Sequence, residues 1–241
     1  GCIVERDGNR HCPVFFQQAG KELDFIAFHT YDPFDHPTES MQKVVDAIHR
    51  LLYRYSIPAK PLWMTETNFD NTLVRTHFGI PQNKKCAVDD PRIQKNAFNQ
   101  LIAQHLIKRF VIGFSLGVER IAVHKFTDDA FWSAGAQCTE YRGLVTKDLI
   151  PKTAYVSYKT MAEKLNGFQS VTKINDGQYK FTFSGKNPMY VLWCDTATCP
   201  AMPQELANTA VVITDFQGRP NESHDISSVT LSPLPMFVEE F

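Results

Sequence analysis

Short apolar segments alternate with amphipathic segments over residues 1–167, and this order constrains the fold more than any other feature of the chain. Buried strands are predicted at 24–31, 61–67 and 119–126, and helices at 39–55, 91–116 and 153–165. Such alternation implies parallel strands that are covered by helices. A barrel and an open sheet both satisfy it at this point.

The predicted helix ends rest on single residues. Thr38 is placed to cap the first of these helices, and proline at position 58 disfavours helix at Ile57. Gly117 is placed to close the second helix. Asn166 and Gly167 are expected to end the third.

The sequence pattern changes after Gly167. In QYKFTFSG, the aromatic residues Tyr179, Phe181 and Phe183 alternate with polar ones, and further short apolar runs follow between Gly, Pro and Asn turns. This pattern predicts an antiparallel β region, interpreted as a small β-sandwich. The predicted domains are therefore 1–167 and 168–241.

Composition excludes several classes of protein. The net charge is −1 and charged residues make up 21% of the chain, which argues against a nucleic-acid partner or a polybasic membrane binder. Charged or polar residues break the longest apolar runs, so no membrane span is predicted. The first residues, GCIVERDGNRHC, show no signal peptide and are interpreted as the interior of a longer protein.

The chain has six cysteines, an even number, in loop-like segments. Their placement suits surface disulfides in a secreted protein, and six free thiols are the alternative. A disulfide is predicted for Cys194–Cys199, with Cys86–Cys138 as the second. Cys2 and Cys12 bracket another polar loop. No cysteine or histidine cluster has zinc spacing, so no metal site is predicted.

Glu66 is the main candidate for chemistry, because it lies at the end of a buried strand and is followed by a polar loop. Catalytic groups of parallel α/β proteins collect at that end of the strands. A structural carboxylate is the alternative. His29 and Tyr31 end the preceding strand on one shared face, where the tyrosine hydroxyl could orient Glu66. His124 ends the third strand.

The third strand is followed by a loop that is predicted to hold Asp128, Asp129, Trp132 and Cys138. Of His124 and Lys125, one must face inward and the other outward, and the sequence leaves this choice open. Trp132 is placed either to stack on a sugar ring or to pin the loop to the core.

Four segments, in order, resemble the last part of the barrel of clan A retaining glycoside hydrolases. DFIAFHTYD is similar to strand six, KPLWMTETNFDN to strand seven and GVERIAVHKFTDDAFW to strand eight; YRGLVTKDLIPKTAYVSYKTMAEKLNG resembles the barrel exit. A β region ending in PMFVEE also resembles the region on the C-terminal side of the barrel in several of these families. The nearest groups are the xylosidase/iduronidase-like and related endo-glycanase families.

The resemblance implies a partial (β/α)₈ TIM barrel, strands six to eight, followed by the β-sandwich. It implies a retaining glycosidase that acts on a glycoside, oligosaccharide or polysaccharide without a cofactor, with Glu66 as the nucleophile. Tyr31 would orient Glu66. The expected substrate-binding residues are His29, Asn68, His124, Lys125, Asp128 and Trp132.

The chain also departs from the family pattern. The family's acid/base is a glutamate after an asparagine on strand four, whereas the one Asn-Glu pair here is Asn221-Glu222, far downstream. Val123 and His124 occupy the stretch in which strand eight often has a tryptophan. The chain is therefore expected to lack the N-terminal half of the barrel and to be inactive alone. The alternatives are a non-catalytic carbohydrate-binding or scaffold protein, and an unrelated α/β domain.

Overall fold

The computed structural model describes residues 11–32, 37–69, 79, 95–133, 136–140, 143–207, 209–223, 226 and 229–240. The chain forms two compact units. The first consists of residues 1–94 and 112–147, and the second of residues 95–111 and 148–241. The domain boundary at 167/168 stays a prediction from the change in sequence pattern.

The first unit contains a three-stranded parallel sheet. Its strands are β1 (Ile26–Asp32), β2 (Leu62–Phe69) and β3 (Val118–Val123), in the order β1-β2-β3. Both neighbouring pairs are parallel. This confirms the predicted strands, their order and their direction, and it makes β2 the central strand.

Three helices accompany these strands along the chain: α1 (His11–Ala19), α2 (Pro37–Arg54) and α3 (Lys95–Ser115). A single 3₁₀ turn, Gly20–Glu22, follows α1. Because α2 begins at Pro37, Thr38 lies inside its first turn and not at the cap; proline suits a first helical position. Gly117 follows α3 with a φ of 81°, as the predicted C-terminal glycine requires.

One face of the sheet packs against helices. Met64 of β2 and Met41 of α2 are completely buried. A side chain at Gly113, near the end of α3, would meet Ile121 Cδ1 at 2.6 Å, Met41 Sδ at 3.4 Å and Met64 Cε at 3.6 Å. The absence of a side chain at Gly113 therefore lets the end of α3 approach the sheet closely.

The opposite face of the sheet is open in the part of the chain that the structure describes. It exposes the small side chains of Ala27, Thr65 and Ala122. Trp63 lies on this face between two neighbours: the Phe25 ring stacks on it at 3.9 Å between centroids, and Arg120 Cζ lies 4.5 Å from its ring centroid. Parallel sheets are normally covered on both faces, so this one has room for a further layer.

The loop predicted after β3 is in part a hairpin, which corrects the prediction for Asp129, Trp132 and Cys138. Strands β4 (Asp129–Ser133) and β5 (Ala136–Glu140) pair antiparallel, with Trp132 opposite Gln137. Two short runs separated by Ala134-Gly135 are a hairpin signal that the many polar residues obscured. Before the hairpin, Thr127 pairs with Val145 in an isolated bridge.

The second unit contains α4 (Thr153–Leu165) and a six-stranded antiparallel sheet. Gly167, with a φ of 78°, follows α4 as predicted. The strand order is β10-β9-β11-β8-β7-β6, and the six strands are β6 (Phe168–Asn175), β7 (Gln178–Phe183), β8 (Met189–Leu192), β9 (Val211–Asp215), β10 (Pro220–Ser223) and β11 (Met236–Glu240). The predicted antiparallel β region is confirmed.

Within the described residues, the antiparallel region forms one six-stranded sheet, and the second sheet of the predicted sandwich stays a prediction. Residues from connecting segments, including Leu206 and Leu231, cluster with Tyr190 and Leu192 of β8. On the other side, Lys108 of α3 lies against the Trp193 ring. In the described part of the chain, connecting segments and α3 therefore both contact this region of the sheet.

The predicted disulfide between Cys194 and Cys199 is present, with a Cα–Cα distance of 5.5 Å. Cys2 and Cys86 lie outside the described residues, as do the side chains of Cys12 and Cys138. The second predicted disulfide, Cys86–Cys138, therefore stays a prediction. The loop from 70 to 90 also lies largely outside the described part of the chain.

Candidate functional site

Glu66 lies near the C-terminal end of β2, in the centre of the parallel sheet. The register places it directly opposite His29 of β1. The pairing is irregular on both sides of this position, between Phe28 and His29 and again between Met64 and Thr67. These irregularities interrupt the two-residue alternation of side chains just where the candidate nucleophile stands.

Two histidines contact the Glu66 carboxylate, one at each oxygen. His29 Nδ1 lies 3.4 Å from Oε2, and His124 Nδ1 lies 3.4 Å from Oε1. These distances exceed the 2.7–2.9 Å typical of charge-assisted hydrogen bonds, so the contacts are electrostatic and loose. The Glu66 side chain is 27% exposed, which leaves the carboxylate accessible from solvent.

The backbone at the strand ends fixes where His124 stands. Its amide donates to the Thr67 carbonyl at 3.0 Å, and its own carbonyl accepts a hydrogen bond from Asn68 Nδ2. Thr67 Oγ1 in turn donates to the Thr30 carbonyl at 3.1 Å. These bonds join the ends of all three strands, and the 3.4 Å contact of His124 Nδ1 with Glu66 Oε1 shows that the imidazole is directed toward Glu66.

Tyr31 of β1 is paired with Asn68 of β2, two positions beyond the pair of His29 and Glu66. Asn68 is 3% exposed, and its side-chain amide is used in the bond to the His124 carbonyl. The contact of Asn68 with a substrate stays a prediction. So does the orienting hydrogen bond from Tyr31 to Glu66.

The segment after β3 carries the remaining predicted residues. Lys125 is half-buried, while Asp128 is buried and its Oδ1 accepts a hydrogen bond from the Gly143 amide at 2.9 Å. This bond, with the Asp128 amide donating to the Val145 carbonyl at 2.9 Å, identifies Asp128 as a residue that shapes the segment. The Trp132 side chain lies outside the described part, so its sugar contact stays a prediction.

Sequence reasoning missed Phe126. It follows Lys125 and its side chain is 58% exposed, although its carbonyl is held by the Val145 amide at 3.0 Å. An exposed ring on a fixed backbone, two residues after His124 in the chain, offers an apolar surface to a ligand. The signal available in the sequence was its position two residues after His124 and three after Val123, the last residue of β3.

The arrangement suits carboxylate chemistry. An accessible carboxylate with an imidazole at each oxygen can act as a nucleophile or a base, and it can also bind a polar ligand. Within the described ranges, no group of three or more His, Cys, Asp or Glu side chains is arranged to hold a metal ion. No helix in those ranges is long and apolar enough to cross a membrane.

Three solved structures similar to the chain are glycosidases or members of a glycosidase family. A GH39 β-xylosidase from Caulobacter crescentus matches with a TM-score of 0.53 and 12% identity, over 96% of this chain and 54% of that protein. A glucosidase from Croceicoccus marinus matches with a TM-score of 0.57 and 11% identity, over 98% and 57% of the two chains. A GH39 enzyme from Xanthomonas axonopodis pv. citri gives 0.51 and 11%, over 96% and 57%.

The chain has a glycoside hydrolase-like fold. The resemblance to glycoside hydrolases stated from the sequence is confirmed at the level of fold. The chain spans 54–58% of the length of the GH39 enzymes and the glucosidase that it matches. No family model and no curated protein matches the sequence.

Proposed function

We propose that this chain is the nucleophile-bearing part of a retaining glycoside hydrolase, with Glu66 as the nucleophile. The observation that carries the proposal is the position of Glu66, an accessible carboxylate at the C-terminal end of the central parallel strand. In closed (β/α)₈ barrels, the residues that act on substrate collect at this end of the strands. The glycoside hydrolase-like fold supports the same interpretation.

In the proposed reaction, a Glu66 oxygen attacks the anomeric carbon while the bond to the leaving group breaks. An ester between the sugar and Glu66 forms, and water later hydrolyses it. The His29 and His124 imidazoles restrict the carboxylate between them and line the sugar-binding subsite. Lys125 and Phe126 stand next along the chain, where they would contact the sugar or its leaving group.

The acid/base is proposed to lie on strands outside this chain. Retaining enzymes place their two carboxyl groups about 5–5.5 Å apart. The Asn221-Glu222 pair lies in β10, in the antiparallel sheet of the second unit. The sheet face around Trp63, which the described residues leave open, and the 54–58% coverage of the neighbours support a barrel that further strands complete. The Cys194–Cys199 disulfide supports an oxidising, extracellular setting.

The stereochemistry of hydrolysis tests this proposal. The complete protein, in which this chain is joined to the remaining barrel strands, is expected to hydrolyse aryl glycosides with retention of the anomeric configuration. Proton NMR within the first minutes, before the free sugar equilibrates, identifies the first-formed anomer. An inverted product would contradict the covalent route through Glu66. Sugar binding without turnover would favour the alternative of a non-catalytic carbohydrate-binding protein.

A further inference from the structure

Within the part of the chain that the structure describes, a buried lysine of the second unit is paired with one aspartate. Lys108 of α3 is 7% exposed, and its Nζ lies 2.5 Å from Asp195 Oδ1. The ammonium also lies 5.9 Å from the centroid of the Trp193 ring, which stacks on Tyr179 at 5.1 Å. Burial lowers the pKa of Lys108, and the hydrogen bond and charge of Asp195 oppose that effect.

Other basic side chains are buried near Lys108, and this increases the cost of losing the Asp195 carboxylate. Arg109 is completely buried beside it, and His105 is buried one turn earlier in the helix. Burial, followed by the charges of Arg109 and Lys108, lowers the pKa of His105 well below its ordinary value, so this imidazole is neutral at pH 7. Removing a carboxylate from such a group of bases leaves a buried charge uncompensated, which strongly destabilises a fold.

Asp195 is much more exposed to solvent than Lys108. Its side chain is 41% exposed and it stands in the exposed segment 195–199. Cys194 anchors the start of the segment, because it is buried and its amide donates to the Ser232 carbonyl at 2.8 Å. The disulfide to Cys199 then closes the segment on itself. The covalent loop therefore limits how far Asp195 can move from Lys108.

The disulfide is accessible from one side. Cys199 is exposed, whereas Cys194 is 3% exposed. A thiolate of a dithiol reductant would attack Cys199 Sγ and form a mixed disulfide, while the electron pair of the broken bond leaves on Cys194 Sγ. The second thiolate of the reductant would then attack the reductant's own sulfur in that mixed disulfide and release Cys199 as a thiolate. Two electrons pass from the dithiol to the two cysteines.

We propose that the Cys194–Cys199 disulfide is a redox-sensitive clasp that keeps Asp195 on the buried Lys108, and that its reduction by a dithiol loosens the second unit. Reduction frees Asp195 to leave with its loop. The Lys108 charge then loses its partner inside the protein. The strand that ends beside the clasp, β8, is the element expected to respond first.

Hydrogen exchange of β8 amides in the protein, with and without dithiothreitol, tests the clasp. The amide of Trp193, the residue directly after β8, donates to the Gly177 carbonyl at 2.8 Å and is followed together with the β8 amides. Reduction is expected to accelerate its exchange about tenfold or more in the parent protein. In Lys108→Met, where the ammonium that pairs with Asp195 is absent, the acceleration should be less than about twofold, because an apolar side chain of similar volume tolerates the loss of the pair.

Three controls make the outcome specific. Lys108→Arg keeps the charge and should keep the response. Lys173→Met removes a surface partner of Asp176 and should leave the response unchanged. A Cys194→Ala/Cys199→Ser variant should be insensitive to dithiothreitol at β8, which separates this disulfide from other cysteines. Equal acceleration in the parent and in Lys108→Met, or none in the parent, would overturn the proposal.

Discussion

Replacing Glu66 with glutamine in the complete protein is expected to lower kcat by at least about 10⁴-fold, the scale on which loss of an enzyme nucleophile acts. The amide is nearly isosteric with the carboxylate, but it is a poor nucleophile toward the anomeric carbon. The Glu66 side chain is partly exposed and its contacts with His29 and His124 are long. The fold should therefore tolerate the change, with a Tm close to that of the parent.

Glu119→Gln is the matched control for this experiment. Glu119 is an exposed glutamate of β3, in the same sheet, near the opposite end of its strand. Its replacement makes the same chemical change and should leave both kcat and Tm unaltered. Retention of most of the activity in Glu66→Gln would show that Glu66 is not the nucleophile.

The 241-residue chain alone is expected to show at most a trace of activity on aryl glycosides with good leaving groups. Its parallel sheet has three strands in the described residues, whereas a closed barrel needs eight. Loss of the acid/base by itself is expected to lower the rate of hydrolysis about 10²–10⁴-fold. The sheet face and the β1 edge that the described residues leave uncovered should also make the isolated chain prone to association.

Mixing the chain with a second polypeptide that carries the remaining barrel strands should restore turnover, if the two parts assemble. The measurement is the initial rate of aryl-alcohol release for each part alone and for the mixture. Robust turnover by the chain alone that disappears in Glu66→Gln would contradict the expectation. That result would place the acid/base within these 241 residues.

Much of the fold can be predicted from local pattern. The alternation of apolar segments and helix-like segments predicted β1, β2 and β3 in their observed order, because each segment has one clear period. Glycines at positions 117 and 167 marked two helix ends, since both adopt the positive φ that glycine allows. Cys194 and Cys199 are close enough in sequence to be paired without knowledge of the fold.

Other features depend on contacts that no local pattern contains. Lys108 and Asp195 are 87 residues apart, and no local sequence pattern in either segment predicts that they form an ion pair. The register irregularities around His29 and Glu66 break the alternation from which side-chain direction is inferred, so the contact of His124 with Glu66 could not be assigned. The covering of the antiparallel sheet by loops likewise depends on the path of residues 194–232.

Covalent trapping with a 2-deoxy-2-fluoro glycoside that has a good leaving group tests the central claim most directly. The fluorine slows both steps of a retaining mechanism, while the leaving group keeps the first step fast enough for the sugar ester to accumulate. Digestion and mass spectrometry of the inactivated complete protein should find one sugar on the peptide that contains Glu66, and none in Glu66→Gln. A label on any other carboxylate, or an active enzyme that takes no label, would contradict the assignment of Glu66 as the nucleophile.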